Sequence, residues 1–321
     1  MFPNQKHIAM QTILGAGGAI GDELAKSLFP YTTKLRLVSR YPKKINETDQ
    51  LVSADLTVRN NIYKAIEGSD VVYVVIGFPY KATVWEKIWP SFIHNVINAC
   101  IFYRCKLVFF DNMYMYDPAY LGHMTEETPI RPVSRKGEVR ARVAKKITDL
   151  FESERVDSII ARAPDFLGSH NSIIGNLIWD NLEKGKKAMC LLSSSTKRNA
   201  ITPFDAAKAT ALLGNTAEAY NQVWHLPSTQ PALSGEEWVQ LFAKEIGCEP
   251  KYTVLSETMI NLLGTFVPIM REMKEMSYQY KNDYYFDSSK FEKHFNYTPL
   301  TAQQAVQSLV HFRKVNLALS K

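Results

Sequence analysis

The chain has 321 residues, of which 46% are hydrophobic and 22% are charged, and its formal net charge is +6. This length suits one large domain or two modest ones, and the composition is that of a globular protein rather than a disordered or fibrous one. The sequence contains neither an apolar run of the ~18 residues that a membrane span needs nor a recognised nucleic-acid-binding module, so we expect no membrane and no nucleic acid as a partner.

The opening stretch predicts a strand, a glycine turn, a helix and a second strand. Residues 10–14 are apolar, residues 22–29 have helical spacing, and residues 35–40 are again strand-like. Glycines recur at every third position between the first strand and the helix, which allows a tight turn and close backbone approach to a pyrophosphate. A plain tight turn is the alternative, but this context favours a dinucleotide site formed by Gly15, Gly18, Ala19, Ile20 and Gly21.

The end of the second strand predicts which nicotinamide cofactor binds. An NAD site usually has an acidic residue there to hold the ribose 2′-hydroxyl. This chain has Ser39 and Arg40 instead, followed by Lys43 and Lys44. Arginine suits a 2′-phosphate, which carries about two negative charges, so we predict NADP(H), with NAD(H) as the alternative. The competing interpretation is a solvated basic loop.

Two more strands follow. Residues 51–55 form a third strand that ends in Asp55 and Leu56, where Asp55 either accepts from an adenine amino group, caps the helix predicted over 57–67, or does both. Residues 70–76 form a β-branched central strand that ends at Gly77. A glycine at that position lets a ribose or a phosphate approach the backbone.

A long apolar segment and a fifth strand come next. Residues 82–103 have helical spacing, but Pro90 predicts that a new helix begins there. Residues 106–110 form the fifth strand. Because ligands of doubly wound sheets bind at the carboxyl ends of the strands, the polar residues that follow are site candidates, namely Asp111, Asn112, Tyr114 and Tyr116.

The second half begins with a strong helix predicted over 135–151, on which Lys136 and Arg140 share one face. A sixth strand covers 158–162. Beyond Gly168 the alternation loosens, with helices predicted over 172–184, 203–214, 234–247 and 302–315 and strands over 188–192 and 222–226. The Met-rich stretch 256–276 is either core or dimer packing, or a lid over an apolar substrate.

These patterns predict an α/β fold, a doubly wound parallel sheet (Rossmann fold) with a smaller α+β C-terminal substrate domain. We place the dinucleotide-binding domain at 1–168, with 197–226 returning to it, and the substrate portion at 169–196 and 227–321. Cys100, Cys105, Cys190 and Cys248 have no metal-ligand or disulfide spacing, and the first six residues do not resemble a signal peptide. We therefore expect a cytoplasmic protein with reduced thiols and without a metal.

Together, the motifs resemble those of the extended short-chain dehydrogenase/reductase superfamily, the group of NAD-dependent epimerases and dehydratases. The resemblance covers nearly the whole chain. It rests on Gly15-x-x-Gly18-x-x-Gly21, on Asp55-Leu56, on Val75-Ile76-Gly77, and on the segments 110–116, 162–168, 201–207 and 286–299. The resemblance implies a small-molecule substrate and suggests a homodimer.

The chain departs from this family on the catalytic helix, which in the family carries Tyr-x-x-x-Lys. Alignment on the surrounding residues puts Lys136 at the tyrosine position, Arg140 at the lysine position and Asn112 at the position of the catalytic Ser or Thr. The resemblance also implies that Lys136 and Pro164 lie beside the cofactor.

Two functional hypotheses remain open. The first is an NADP(H)-dependent reductase or isomerase of a small carbonyl or sugar-like substrate, in which Lys136 acts with Tyr116, or with Tyr114, as a proton donor or electrophile. The second is a non-catalytic nucleotide-binding protein, such as a redox sensor. A binding or assembly protein without a nucleotide is a third, weaker alternative.

Overall fold

The structure is a computed structural model that describes residues 9–168, 172–266 and 268–319. The chain divides into two compact units. The first unit consists of Met1–Met115, Arg135–Arg162 and Ala206–Trp224, and the second of Tyr116–Ser134, Ala163–Asp205 and His225–Lys321.

The strands are short and alternate with helices in the first half of the chain. In chain order they are β1 (Gln11–Leu14), β2 (Leu35–Ser39), β3 (Gln50–Ser53), β4 (Val71–Val74), β5 (Lys106–Asp111), β6 (Ser158–Arg162), β7 (Ala188–Leu191), β8 (Lys197–Arg198), β9 (Gln222–His225), β10 (Leu233–Ser234) and β11 (Tyr252–Leu255).

The helices, in chain order, are α1 (Ala19–Leu28), α2 (Arg59–Ile66), α3 (Ala82–Tyr103), α4 (Arg135–Phe151), α5 (Asp180–Glu183), α6 (Pro203–Gly214), α7 (Gly235–Ile246), α8 (Glu257–Phe266), α9 (Pro268–Lys274), α10 (Ser289–Phe295) and α11 (Ala302–Leu319). A π-helical turn, Gly175–Trp179, precedes α5.

A seven-stranded sheet in the order β3-β2-β1-β4-β5-β6-β9 forms the centre of the first unit. The pairings from β3 through β6 are parallel, and Leu14 of β1 lies opposite Val38 on one side and Val74 on the other. The strand order reverses between β1 and β4, so the carboxyl ends of these two strands flank the crevice where doubly wound sheets bind ligands. The predicted doubly wound fold is confirmed.

Helix α3 differs from its prediction, because no new helix begins at Pro90. A single helix runs from Ala82 to Tyr103 with Pro90 inside it. An interior proline costs ~3 kcal/mol. On the same helix Trp85, Trp89 and Phe92 are buried in the core against the sheet, and burial of each contributes ~1.5–3 kcal/mol. Packing of this aromatic face therefore outweighs the local cost of the proline.

The second unit has its own core and two small sheets. Strands β7 and β11 pair in parallel, and β8 and β10 pair antiparallel. Trp179, Trp238 and Phe242 are buried in its core. Helix α7 begins with a capping box, in which Ser234 and Glu237 each accept the other's backbone N–H.

The unit boundaries differ from the predicted domain boundaries in two places. Tyr116–Ser134 belongs to the second unit, since Met124 donates its N–H to the carbonyl of Tyr285, and Tyr285 donates to that of Leu121, both at 2.8 Å. The return to the first unit begins at Ala206 rather than at residue 197, because β8 pairs with β10 of the second unit.

Some expectations fall partly outside the described residues. The Met-rich stretch forms α8 and α9, but Val267 between them is not described, and neither are residues 1–8. Within the described ranges no helix is long and apolar enough to cross a membrane, and no group of side chains there could hold a metal ion.

Candidate functional site

The turn after β1 is as tight as the glycine spacing predicts. Gly15 has a φ of +110°, and a Cβ atom on it would lie 2.6 Å from the Cα atom of Ile76. A Cβ atom on Gly21 would lie 2.6 Å from the carbonyl oxygen of Gly15. Only glycine fits at either position. As a result, helix α1 packs closely on the turn, and the turn packs against the end of β4.

Gly18 has a different environment from these two glycines. It is an exposed residue that caps α1 in an extended conformation, without a side-chain hydrogen bond to the helix. A Cβ atom on it would meet only the Gly15 carbonyl oxygen, at 3.6 Å. The first N–H groups of α1, including those of Ala19 and Ile20, lack intrahelical partners, and the helix dipole makes this end partially positive. The turn therefore has the features that an anionic ligand requires.

The end of β2 lies beside the same turn. A Cβ atom on Gly17 would be 3.9 Å from the Ser39 hydroxyl oxygen. Arg40 follows as an exposed residue, and its carbonyl oxygen accepts from the Ser53 hydroxyl at 2.8 Å. Lys43 and Lys44 are also exposed. A Cβ atom on Gly17 would also lie 3.9 Å from the Tyr41 carbonyl oxygen, so the backbone on both sides of Arg40 passes next to the glycine turn.

Asp55 is an exposed carboxylate after β3. Its Oδ1 accepts from the backbone N–H of Thr57 at 2.9 Å and from the Thr57 hydroxyl at 2.8 Å. These bonds, and secondarily the charge of Arg40, lower the pKa of Asp55. The helix cap of α2 is Val58, so the prediction that Asp55 caps this helix is wrong. Asp55 instead closes an Asx turn before the helix.

The other two predicted cofactor residues of this half differ in exposure. Leu56 is only 3% exposed and packs in the core, which leaves its side chain little surface for a ligand. Gly77 is exposed, and a Cβ atom on it would meet no heavy atom within 4 Å. It directly follows Ile76, which touches Gly15. Open space therefore lies next to the glycine turn at the end of β4.

Lys136 is fully buried on the first turn of α4. Its ammonium nitrogen lies 4.6 Å from the centroid of the Tyr80 ring, within the range of a cation–π interaction. Arg135, the residue before it, anchors this end of the helix to Glu86 through two hydrogen bonds. A buried ammonium is costly unless its surroundings stabilise it. The burial of this lysine therefore indicates a specific structural or functional role.

Three aromatic residues of the first unit, Tyr80, Trp85 and Tyr114, form a cluster next to Lys136. The Trp85 ring is 5.7 Å from that of Tyr80 and is stacked on Tyr114 at 6.2 Å. The two tyrosine hydroxyls are 3.4 Å apart. Asn112 accepts from the backbone N–H of Tyr114 at 3.2 Å and so fixes the local turn. The indole N–H of Trp85 is buried and has no hydrogen-bond partner among the described residues.

Arg140 lies one turn further along α4 in a buried ion-pair cluster with Asp111 and Arg162. Its Nε donates to Asp111 at 2.9 Å, and its terminal nitrogen forms a second bond to the same carboxylate. Arg162 donates to the other carboxylate oxygen at 3.2 and 3.1 Å. The Arg140 guanidinium also lies 4.6 Å from the Trp89 ring. These contacts fix the Arg140 guanidinium in the structure, and its predicted catalytic role stays a prediction.

The remaining predicted residues, Tyr116 and Pro164, belong to the second unit. Tyr116 is fully buried, and its hydroxyl lies 2.6 Å from Nε2 of His225. Nδ1 of the same ring is 2.8 Å from the carbonyl oxygen of Asp287. Since a carbonyl only accepts, neutral His225 carries its proton on Nδ1 and accepts from Tyr116 at Nε2. Tyr116 thus donates to a histidine inside the second unit.

Sequence reasoning missed Tyr80 altogether and did not single out Arg162. The signal for Tyr80 was its position in the loop after a central strand, the same argument that selected Tyr114. Arg162 is a charged residue at the end of a strand that follows the buried-strand pattern, and a buried charge requires a partner within the fold.

No protein-family model matches the chain, and no curated protein matches its sequence. Its fold, however, matches solved structures. The UDP-N-acetylglucosamine 4-epimerase from Bacillus cereus superposes with a TM-score of 0.75 at 15% sequence identity, over 95% of this chain and 96% of the epimerase.

Two further structures were solved with NAD. A dTDP-glucose 4,6-dehydratase from Streptomyces venezuelae has a TM-score of 0.77 at 14% identity, over 97% of this chain and 98% of the dehydratase. The UDP-glucose 4-epimerase from Thermus thermophilus has a TM-score of 0.73 at 16% identity, over 95% and 99% of the two chains. The chain therefore has the fold of these epimerases and dehydratases along nearly its whole length, as the sequence motifs predict.

Proposed function

We propose that this chain is an atypical member of the extended short-chain dehydrogenase/reductase superfamily and binds a nicotinamide dinucleotide at the turn of residues 15–21. The glycine turn, the start of α1 at Gly18 without a side-chain cap hydrogen bond, and the open space at Gly77 support this proposal. Solved structures of the same fold contain NAD. The residues present thus suit the pyrophosphate and the ribose of such a cofactor.

We infer a preference for NADP(H). The support is the position of Arg40, which is exposed after β2 beside the glycine turn, with Lys43 and Lys44 nearby. A guanidinium binds a phosphate through two parallel hydrogen bonds.

The activity that we propose is the reduction or isomerisation of a small carbonyl or sugar-like substrate, and its main support is the buried ammonium of Lys136 over Tyr80. A bound nicotinamide supplies or accepts the hydride. Lys136 donates a hydrogen bond or a proton to the substrate oxygen and stabilises negative charge that develops there. Of the two tyrosines considered, Tyr114 is the better partner, because it belongs to the aromatic cluster of the same unit.

The aromatic cluster supports the substrate class. Tyr80 and Tyr114 offer hydroxyl groups, and the buried indole N–H of Trp85 lacks a protein acceptor among the described residues. A substrate with one or more oxygen acceptors would satisfy such a donor. One structurally similar protein was solved in complex with UDP-glucose and NAD, which makes sugar-like compounds the first class to screen.

A second candidate function is nucleotide binding without catalysis. The observation that favours it is the ion-pair cluster, in which Arg140 occupies the position of the family's catalytic lysine and is bound to Asp111. A protein of this kind would bind the cofactor and respond to its redox state, but would transfer no hydride.

The experiment that separates these functions is a fluorescence titration with NADPH and, in parallel, NADH, followed by a hydride-transfer assay on small aldehydes, ketones and nucleotide sugars. We expect tight binding of NADPH and weaker binding of NADH. With at least one substrate class we expect either net cofactor oxidation, for a reduction, or a changed product without net cofactor oxidation, for an isomerisation, so the products are analysed as well. Binding without turnover would favour the second candidate. Binding of neither nucleotide would contradict both.

A further inference from the structure

The C-terminal end of α3 brings two cysteines of the first unit together. Cys100 is near the end of the helix, and Cys105 directly precedes β5. Arg104 between them has a φ of +55°. Its N–H donates to the carbonyl of Ile101 at 3.3 Å, and the N–H of Cys105 donates to the carbonyl of Cys100 at 3.1 Å. These two bonds form a Schellman motif.

The Schellman motif determines which side chains meet. It places the residue after the left-handed position against the residue five positions earlier, here Cys105 against Cys100, where an apolar contact is usual. The Cys105 thiol lies 3.9 Å from the Cys100 carbonyl oxygen, and the two thiols are within hydrogen-bonding reach of each other. Two apolar residues would serve the helix end equally well, so a pair of thiols here has chemistry that the packing does not require.

The backbone geometry also suits a covalent bond. Disulfides need Cα atoms roughly 4–7 Å apart, and a direct hydrogen bond between the backbones of two cysteines imposes a separation of that order. Both residues are buried, with Cys100 0% and Cys105 2% exposed. Their mutual hydrogen bond lowers the pKa of Cys105 and raises that of Cys100. Cys105 is therefore the thiol that ionises first.

We propose that Cys100 and Cys105 form a reversible intramolecular disulfide when the protein meets a small peroxide oxidant. The Cys105 thiolate attacks one peroxide oxygen and becomes a sulfenic acid, while the other oxygen leaves as hydroxide and takes up a proton. The Cys100 sulfur then attacks the Cys105 sulfur and loses its proton as water leaves. In total, two thiols lose two electrons to one hydrogen peroxide, and two water molecules form.

Burial determines both the oxidant and the rate. A bulky disulfide reagent cannot reach a thiol that is 2% exposed, whereas hydrogen peroxide is hardly larger than water. Access requires local opening of the last turn of α3, and helix ends are where such openings are most frequent. We expect hydrogen peroxide to oxidise this pair more slowly than the exposed Cys248. The oxidation should end at the disulfide, because the Cys100 thiol lies next to Cys105 and reacts with it before further oxidation.

Peptide mapping of the native protein tests this proposal directly. Trypsin cuts after Lys87, Arg104 and Lys106, so the two cysteines end in separate peptides unless they are bonded. The native protein is treated with hydrogen peroxide, the oxidant is removed, and free thiols are then blocked in denaturant. We expect a cross-linked pair, peptide 88–104 joined to 105–106, about 2 Da lighter than the two reduced peptides together. Treatment with dithiothreitol should restore both thiols.

Two variants and one further thiol serve as controls for non-specific oxidation. In Cys100→Ser, Cys105 should accumulate as sulfinic or sulfonic acid. Cys105→Ser should leave Cys100 reduced. Cys190, buried in the second unit, is a matched single thiol in the wild-type protein and should form no cross-link within the chain. The proposal is overturned if Cys100 and Cys105 both remain alkylatable in the wild type while Cys248 oxidises, or if the cross-link forms only in denaturant.

Discussion

At the residue scale, two glycines of the same turn differ in whether a side chain would fit. Gly21 has no room for a Cβ atom, because the carbonyl oxygen of Gly15 would lie 2.6 Å away, whereas Gly18 is exposed and meets that oxygen only at 3.6 Å. The first glycine is needed for folding. The second leaves open the surface on which a pyrophosphate would lie.

This difference gives a prediction for Gly18→Val. The extended backbone at Gly18 accommodates a β-branched residue, so the melting temperature should be nearly unchanged, while the new side chain should weaken NADPH binding at least tenfold, about 1.4 kcal/mol. Gly21→Ala is the matched control and should lower the melting temperature clearly. Unchanged NADPH affinity in a folded Gly18→Val protein would contradict the site assignment.

Arg40 allows a second prediction at this scale. In Arg40→Asp the loss of the guanidinium and the added negative charge should weaken NADPH binding by roughly tenfold to a hundredfold, since charge-assisted pairs contribute ~1.5–3 kcal/mol. NADH binding should change much less. Titration of both nucleotides checks this, with Lys187→Asp, the same change of charge at an exposed residue of the second unit, as the control. Equal losses for the two nucleotides would rule out the 2′-phosphate assignment.

The contribution of Lys136 to hydride transfer can be measured separately from that of the other lysines of its helix. Lys136→Met keeps the length of the side chain but removes the ammonium, so hydride transfer should fall by roughly 10²–10⁴ if this group acts as the acid, while NADPH still binds. Lys145→Met, which changes an exposed lysine of α4 paired with Asp149, should leave the rate unchanged. Full activity of Lys136→Met would assign the proton transfer to another group.

Among the elements, the ion-pair cluster joins α4 to the ends of β5 and β6. One carboxylate, Asp111, holds two guanidiniums, those of Arg140 and Arg162, and all three side chains are at most 3% exposed. Lys136 lies one turn before Arg140 on the same helix. The cluster therefore fixes the helix that carries the candidate catalytic residue.

We predict that Asp111→Asn destabilises the protein by about 3–5 kcal/mol, because it leaves buried positive charges without their counter-charge. Asp149→Asn removes an exposed pair on the same helix and should cost less than about 1 kcal/mol. Chemical denaturation of the two variants compares them. Equal, small losses would mean that water or another group compensates the two arginines.

The elements also show how much of the fold the sequence determines. Helix α4, helix α6 and strand β6 have the predicted bounds, because each has an uninterrupted hydrophobic pattern between clear breaks. The split at Pro90 was wrong, since a local rule about proline does not include the tertiary packing of Trp85 and Trp89.

The candidate site was predictable to the level of the strand ends, but not of individual side chains. Strand-end reasoning selected Asp111, Asn112, Tyr114 and Tyr116 together. Which of them faces Lys136 depends on how the chain leaves β5, and only the structure distinguishes Tyr114, near Tyr80, from Tyr116, which donates to His225. A one-dimensional pattern contains no information on such turns.

At the scale of the whole molecule, cofactor binding should raise the free energy of unfolding. A ligand that binds only the folded state at a concentration of 100 times its Kd adds about 2.7 kcal/mol, which should raise the melting temperature by several degrees. Thermal unfolding with NADPH and with NADH measures this. In the Gly18→Val protein a tenfold weaker affinity should reduce this stabilisation to about 1.4 kcal/mol at the same NADPH concentration, so a fully preserved shift in that variant would point to binding elsewhere.

The last strand of the large sheet, β9, is contributed by residues far along the chain, after a long excursion through the second unit. A gene fragment that stops at the predicted domain boundary, residue 168, would lack this strand and would leave unpaired the edge of β6 that faces β9, while its pairing with β5 would remain. Exposed sheet edges recruit other chains. Such a fragment should therefore aggregate on expression, and isolation of the first unit will require an artificial linker that joins residue 162 to the returning segment.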